Sequence, residues 1–211
     1  MSRGRLVLLN LVGIIVVILL LAGGAYYYYQ TTNYLKTDDA KVSADMVPVV
    51  ATASGKLVDW TGEEGDKVLK DDLLGKISDG KTTIPVTSPE KGTIIKNQVQ
   101  KNQIVQAGQT LAQTADLSHL YIVANIKETD LKDIEKGDKV TITVDGDPDT
   151  TFDGKVEKIG YATNSVFSLL PEQNSSGNYT KVTQKVPVKI SIKDPSDKVL
   201  PGMNAEVKIS K

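Results

Sequence analysis

Cysteine is absent from this chain of 211 residues, and histidine occurs once, as His119. Those absences exclude disulfides, thiolate metal sites, thiol nucleophiles and any metal centre that needs several imidazoles. A Ser–His catalytic pair would have to use His119 in Asp116-Leu117-Ser118-His119. That stretch reads as the start of a strand, where successive side chains point to opposite faces. His119 is expected to be a turn or core residue, and no catalytic residue or metal ligand is assigned. Neither sign of charge is in excess, with 25 basic residues against 26 acidic ones. No basic cluster offers the face that nucleic acid requires.

Charge is also missing from one place where it matters. Leu6 to Tyr29 holds no charged residue, and within Leu6–Ala25 the one strongly polar side chain is Asn10. Twenty helical residues at 1.5 Å each span roughly 30 Å, the hydrocarbon thickness of a bilayer. Tyr26 to Tyr29 follow, and tyrosine favours the membrane interface because its ring is apolar and its hydroxyl wet. Arg3 and Arg5 precede the run, so the positive-inside rule leaves residues 1–5 in the cytoplasm and exports the remainder. The competing reading is a cleaved signal peptide ending near Gly23-Gly24-Ala25, but the apolar run exceeds the usual 7–15 residues of such a peptide. Residues 6–29 are read as a retained, single-pass transmembrane anchor with interfacial tyrosines. Residues 30–45 are read as an extended linker.

The next signal is a repeat. Gly55-Lys56-Leu57-Val58 aligns without a gap on Gly92-Thr93-Ile94-Ile95, at an offset of 37. At the same offset Val68 meets Val105, Leu74 meets Leu111, Gly65 meets Asn102, and Asp71-Asp72 meets Gly108-Gln109. Glycine and asparagine tolerate the positive φ of tight turns, and the aliphatic runs between them suit strands. Neither half can bury a face alone, so residues 46–116 are expected to form one flattened β-sandwich with Leu57, Val68, Leu74, Ile94, Val105 and Leu111 in its core.

Beyond Asp116 the chain holds short alternating strands, as in Val140, Ile142 and Val144 set against Lys139, Thr141 and Thr143. Two turns of helix are expected over Lys127–Ile134, and residues 117–211 as a whole are expected to form a small antiparallel β-barrel with a long loop at 161–183. The fold class is mainly β.

The paired halves resemble the biotinyl/lipoyl module, which carries its cofactor on a lysine eight residues before a proline in the hairpin between the halves. Counting back from Pro89 gives Lys81. Its neighbours Asp79-Gly80 and Thr82-Thr83 are not those of a carrier lysine, so Lys81 is read as an unmodified turn residue and no cofactor is expected. As a whole the chain resembles the HlyD-type membrane fusion proteins, the adaptor subunits of efflux and secretion pumps. The likeness is closest to the branch serving major-facilitator multidrug exporters. It is carried by Thr37-Asp38-Asp39-Ala40 with Val42, Ser54-Gly55, Leu120 to Leu131, Phe167 to Pro171, Asn178 to Val188, and Leu200-Pro201-Gly202-Met203.

The resemblance implies a non-catalytic subunit that docks on a cytoplasmic-membrane export transporter, of major-facilitator or ABC type, as a homo-oligomer. Family members with a long helical hairpin between the halves reach toward an outer-membrane channel. Here only Ser78 to Lys91 separates the halves, fourteen residues with Pro85 and Pro89, so that role is not expected. Val166, Phe167, Leu169 and Leu170 form an apolar cluster in the polar loop and read either as a lid on the barrel or as the contact surface for a transporter or neighbouring protomer. A lipoylated or biotinylated carrier and a structural envelope-binding protein are the alternatives to the adaptor.

Overall fold

The computed structural model describes residues 3–167 and 182–211. The apolar run becomes α1 (Arg3–Asn33), 31 residues and roughly 46 Å long. Its stretch Leu11–Tyr29 is long and apolar enough to cross a membrane, and none of it is buried against the rest of the protein. A helix that is apolar all round and buries no face is suited to lipid as its solvent.

No spacer follows. The chain passes from Asn33 directly into β1 (Tyr34–Ser43), a strand of the barrel. The extended conformation expected for residues 36–42 is present, but the segment is not a linker. Ala40 to Ser43 of β1 pair with β10 (Tyr121–Lys127), and Tyr34 to Lys41 pair with β14 (Asn204–Ser210). Ala40 and Val42 lie in the barrel core. The cause is closure: a sheet rolled into a barrel leaves no edge unpaired, and without β1 both β10 and β14 would expose one.

The sandwich is therefore inserted between the first two barrel strands. It has two four-stranded sheets. One runs β2 (Met46–Val50), β9 (Thr110–Ala115), β7 (Gly92–Asn97), β4 (Lys67–Val68). The other runs β6 (Thr83–Thr87), β5 (Leu73–Ser78), β3 (Gly55–Trp60), β8 (Ile104–Val105). Each sheet takes strands from both halves, so neither half can close alone.

The offset of 37 governs the hydrogen bonds as well. Gly65 N donates to Ile94 O and Asn102 N donates to Leu57 O, while Ile94 N reaches Asp66 O and Leu57 N reaches Gln103 O. The left-handed turn residues correspond too, Gly65 with Asn102 and Asp71 with Gly108. The repeat extends further than the glycine pattern revealed, since β2 and β6 are related by the same offset and carry Pro48 and Pro85 at equivalent positions. Both strands lie at sheet edges, where a missing N–H costs no ladder bond. All six expected core residues are buried, with Leu57, Ile94, Val105 and Leu111 at 0% exposure. Trp60 packs partly buried on this core, and its Nε1 donates to Oδ1 of Asn97, its own repeat equivalent, at 3.2 Å.

The barrel closes in the order β1, β10, β13 (Lys185–Ile192), β12 (Asp147–Ile159), β11 (Lys139–Val144), β14. Alternate residues fill it, among them Ile122, Ala124 and Ile126, Val188 and Ile190, and Val207 and Ile209. Between β10 and β11 there is one short turn, a 3-10 helix at Leu131–Asp133, rather than two turns of helix. The strand uses residues through Lys127, and the helical turn ends at Ile134, whose backbone is extended.

Candidate docking site at the membrane end of the barrel

Topology decides which barrel loops can meet the membrane. Strand β1 leaves α1 at Tyr34 and runs away from it, and its antiparallel neighbours return toward it. Tyr34 packs edge-on against Tyr29 with ring centroids 6.5 Å apart, and Lys211 N donates to Asn33 O at 2.9 Å. Tyr29 near the helix end, the first barrel residue Tyr34 and Lys211 thus form one junction. The β12–β13 connection opens at this same end, since Ile159 pairs with Val188, and Lys127 on β10 pairs with Lys185.

A bulge re-aims a carboxylate here. Register with β14 shifts between Thr37 and Ala40, so Asp38 and Asp39 together oppose Glu206. Such a bulge twists the strand and turns a side chain out of the regular alternation. Asp39 Oδ2 accepts from Lys185 Nζ at 2.7 Å, and Oδ1 accepts from Asn125 Nδ2 at 2.9 Å. Asn125 Oδ1 in turn accepts from Asn164 Nδ2 at 2.8 Å. The hydrogen bonds from Lys185 and Asn125 hold the Asp39 carboxyl below the usual carboxylate range, and Asp39 raises Lys185 above the usual lysine value. Asp39 gains its partners when charged, so its contribution is present above the ordinary carboxylate range and is lost as pH falls through its lowered pKa. Lys185 contributes below the ordinary lysine value and loses that contribution as pH rises through its raised one. Both are charged throughout the neutral range.

The hollow beside them, lined by Leu35, Asp38, Asp39, Asn125 and Lys185 among others, holds about 180 Å³. Drug-sized ligands need roughly 300 Å³ or more, which argues for contact rather than capture at this end.

Of the four apolar residues singled out in the loop, Val166 is exposed at 67%. Phe167 closes a short 3-10 turn, Asn164–Phe167. Leu169 and Leu170 lie outside the described residues. Tyr161 and Val182, which the sequence reading passed over, are also exposed, at 95% and 50%. Lys158 Nζ lies 5.5 Å from the Tyr161 ring centroid.

Lys81 sits in the turn Asp79–Thr82 that joins β5 to β6. Its backbone N–H, like that of Thr82, donates to Asp79 Oδ1 at 2.7 Å, so Asp79 organises the turn. At the other end of the sandwich Asp116, Ser118 and His119 do meet, because the segment is a turn rather than a strand start, with His119 N donating to Asp116 O. The arrangement is no relay. His119 Nδ1 faces both Asp116 Oδ2 at 2.9 Å and Ser118 Oγ at 3.1 Å, while Ser118 Oγ donates to Asp116 Oδ1. A nucleophile and its orienting carboxylate must use different ring nitrogens. The hydrogen bond from Ser118, with those from His119 and Lys91, holds the Asp116 carboxyl well below the usual range. No group of three or more metal-ligating side chains occurs among the described residues.

A membrane helix fused to a closed barrel, with a two-sheet sandwich inserted after the first barrel strand, defines a membrane-anchored protein of the barrel-sandwich adaptor class. Comparison with known proteins agrees. Residues 45–116 match the family model for the YhbJ barrel-sandwich hybrid domain, and residues 120–209 match the YknX-like β-barrel domain. Over 210 residues the chain is 65% identical to the "Putative efflux system component YhbJ" of Bacillus subtilis, covering 100% of this chain and 95% of that one. It is 37% identical over 109 residues to the multidrug export protein EmrA of Escherichia coli, a match confined to 51% of this chain and 28% of that protein. The crystal structure of ZneB from Cupriavidus metallidurans superposes with a TM-score of 0.65 at 17% identity, covering 85% of this chain and 99% of that one. MacA from Actinobacillus actinomycetemcomitans gives 0.67 at 18%, covering 84% and 79%. The chain belongs to the membrane fusion protein family of efflux-system components.

Proposed function

We propose that this protein is a non-catalytic adaptor that docks, from the extracytoplasmic side, on an export transporter of the same membrane. The observation that carries the reading is the missing spacer. With Tyr34 packed on Tyr29, the loop-bearing barrel end lies within about one turn of helix of the interfacial tyrosines. A transporter's outer surface would occupy that height. Arg3 and Arg5 ahead of the apolar run orient the helix with its N-terminus in the cytoplasm. The efflux and multidrug-export names of the relatives support an export pump as the partner; in this reading it is of major-facilitator or ABC type, with several copies of the adaptor around it. The four-residue turn at Asp79–Thr82 offers nothing to reach a distant outer-membrane channel. Lys81 in that turn is left unmodified, so intact mass should equal that of the bare chain. An addition of about 188 or 226 Da would mark a lipoyl or biotinyl carrier instead.

In this reading Val166, Phe167, Leu169 and Leu170 supply the apolar contact. Phe167→Ser with Leu170→Ser should abolish co-purification with the transporter while leaving the thermal unfolding of the detergent-solubilised chain unchanged. A destabilised double mutant would make the cluster a lid on the barrel. Normal assembly in a stably folded one would remove the contact.

Anchoring gives a second expected result. Protein recovered from cells should retain its original N-terminus and resist alkaline-carbonate extraction. A soluble form beginning near Tyr26 would mean that the apolar run is a cleaved signal.

A further inference from the structure

Thr37-Asp38-Asp39-Ala40 was conspicuous in the sequence, yet docking through the loop's apolar residues leaves it without a task. Its position in the fold supplies one. Asp39 stands on the strand that continues the membrane helix, at the bulge of that strand. Its two carboxylate oxygens face opposite feet of the β12–β13 loop. Oδ2 takes Lys185, the residue at which the loop re-enters the barrel, at 2.7 Å. Oδ1 takes Asn125, which passes the connection to Asn164 in the loop's first turn. Sequence separation makes this expensive to assemble. The four side chains come from β1, β10, β13 and the loop, and the two direct partners of Asp39 lie 86 and 146 residues from it. Backbone bonds also fasten the same feet, Gly160 N to Pro187 O at 2.8 Å and Glu128 N to Gln184 O at 2.9 Å. Neither of those bonds touches β1. Asp39 is the side chain that ties both feet to the element rooted in the bilayer.

We propose that Asp39 is the positioning residue of the loop: its carboxylate clasps both loop feet to the strand continuous with the membrane helix, and so sets the height and direction at which the loop leaves the barrel. Its consequence for docking rests on the adaptor reading above, whereas the clasp itself does not. The pair is partly exposed, with side-chain exposures of 45% for Lys185 and 37% for Asp39, so its effect falls on geometry rather than on global stability.

The experiment uses the full chain in detergent or membranes. It compares Asp39→Asn, Lys185→Met, Asn164→Ala and the exchanged pair Asp39→Lys with Lys185→Asp. Hydrogen–deuterium exchange is followed on peptides covering 160–184 and, as a control, on the barrel strands. Each single variant should speed exchange in 160–184 several-fold, leave β11 and β14 unchanged, and reduce co-purification with the transporter. The exchanged pair should restore both, since the Asn125 and Asn164 amides can flip together, Asn125 Oδ1 accepting from the lysine and its Nδ2 donating to Asn164 Oδ1. Unaltered exchange in 160–184 for Asp39→Asn, or exchange raised uniformly through the barrel, would overturn the clasp. Altered exchange that the exchanged pair restores, with co-purification normal in every variant, would uphold the clasp and overturn docking through the loop.

Discussion

Leu57→Ala and Ile94→Ala should each remove about 2–5 kcal/mol from the stability of the sandwich, the range for large-to-small changes at fully buried aliphatic positions. For a unit of some seventy residues that lowers the melting temperature by roughly 10 °C or more. Both side chains have 0% exposure and occupy the same place in the two halves. The backbone of each exchanges hydrogen bonds with the turn of the opposite half. The two costs should therefore be alike, and the sandwich should melt in one transition in both variants. Thermal unfolding followed by circular dichroism decides it. Two separate transitions, or one substitution without effect, would mean that the halves fold as independent units.

Gly154→Ala should weaken the barrel by about 1–3 kcal/mol, the usual cost of overpacking. Gly154 on β12 lies opposite Ile192 and Val140. A methyl group there would be driven into the carbonyl oxygen of Ser191, and Ile142 Cδ1 would be 2.7 Å away. A strand backbone held on both sides cannot retreat without opening the barrel. Gly146→Ala is the matching control, because its methyl would meet chiefly the end of the Met203 side chain, which can rotate aside. That variant should unfold within a degree or two of the unmodified protein. Equal losses for both would show that backbone approach at Gly154 is not what requires glycine.

The membrane helix and the sandwich were legible because their causes are local or periodic. A run of uncharged residues needs no partner to declare itself, and its length alone matches a bilayer. The repeat could be read because Gly65, Asn102 and Gly108 mark turns that need positive φ, and because aliphatic residues recur at one offset between them. Even there the reading stopped short. Pro48 and Pro85 conceal β2 and β6 from any argument based on strand propensity, and only their place at sheet edges makes proline admissible.

The barrel's closure and the clasp were not legible. Nothing in Tyr34–Ser43 distinguishes a linker from a strand, since its polar alternation suits either. Its partners lie at Tyr121 and beyond and at Asn204 and beyond, and pairing over such distances leaves no mark on the segment itself. Likewise Asp39, Asn125, Asn164 and Lys185 are four ordinary polar residues until the bulge in β1 turns a carboxylate toward the other three. The sequence by itself determined that this protein has a membrane helix, a duplicated β-sandwich and a β region after it, because each follows from composition or repetition along the chain. Only the tertiary structure decided that the first barrel strand grows straight out of the helix and that its Asp39 carboxylate meets Lys185 and Asn125, because those facts depend on which distant strands meet when the sheet closes.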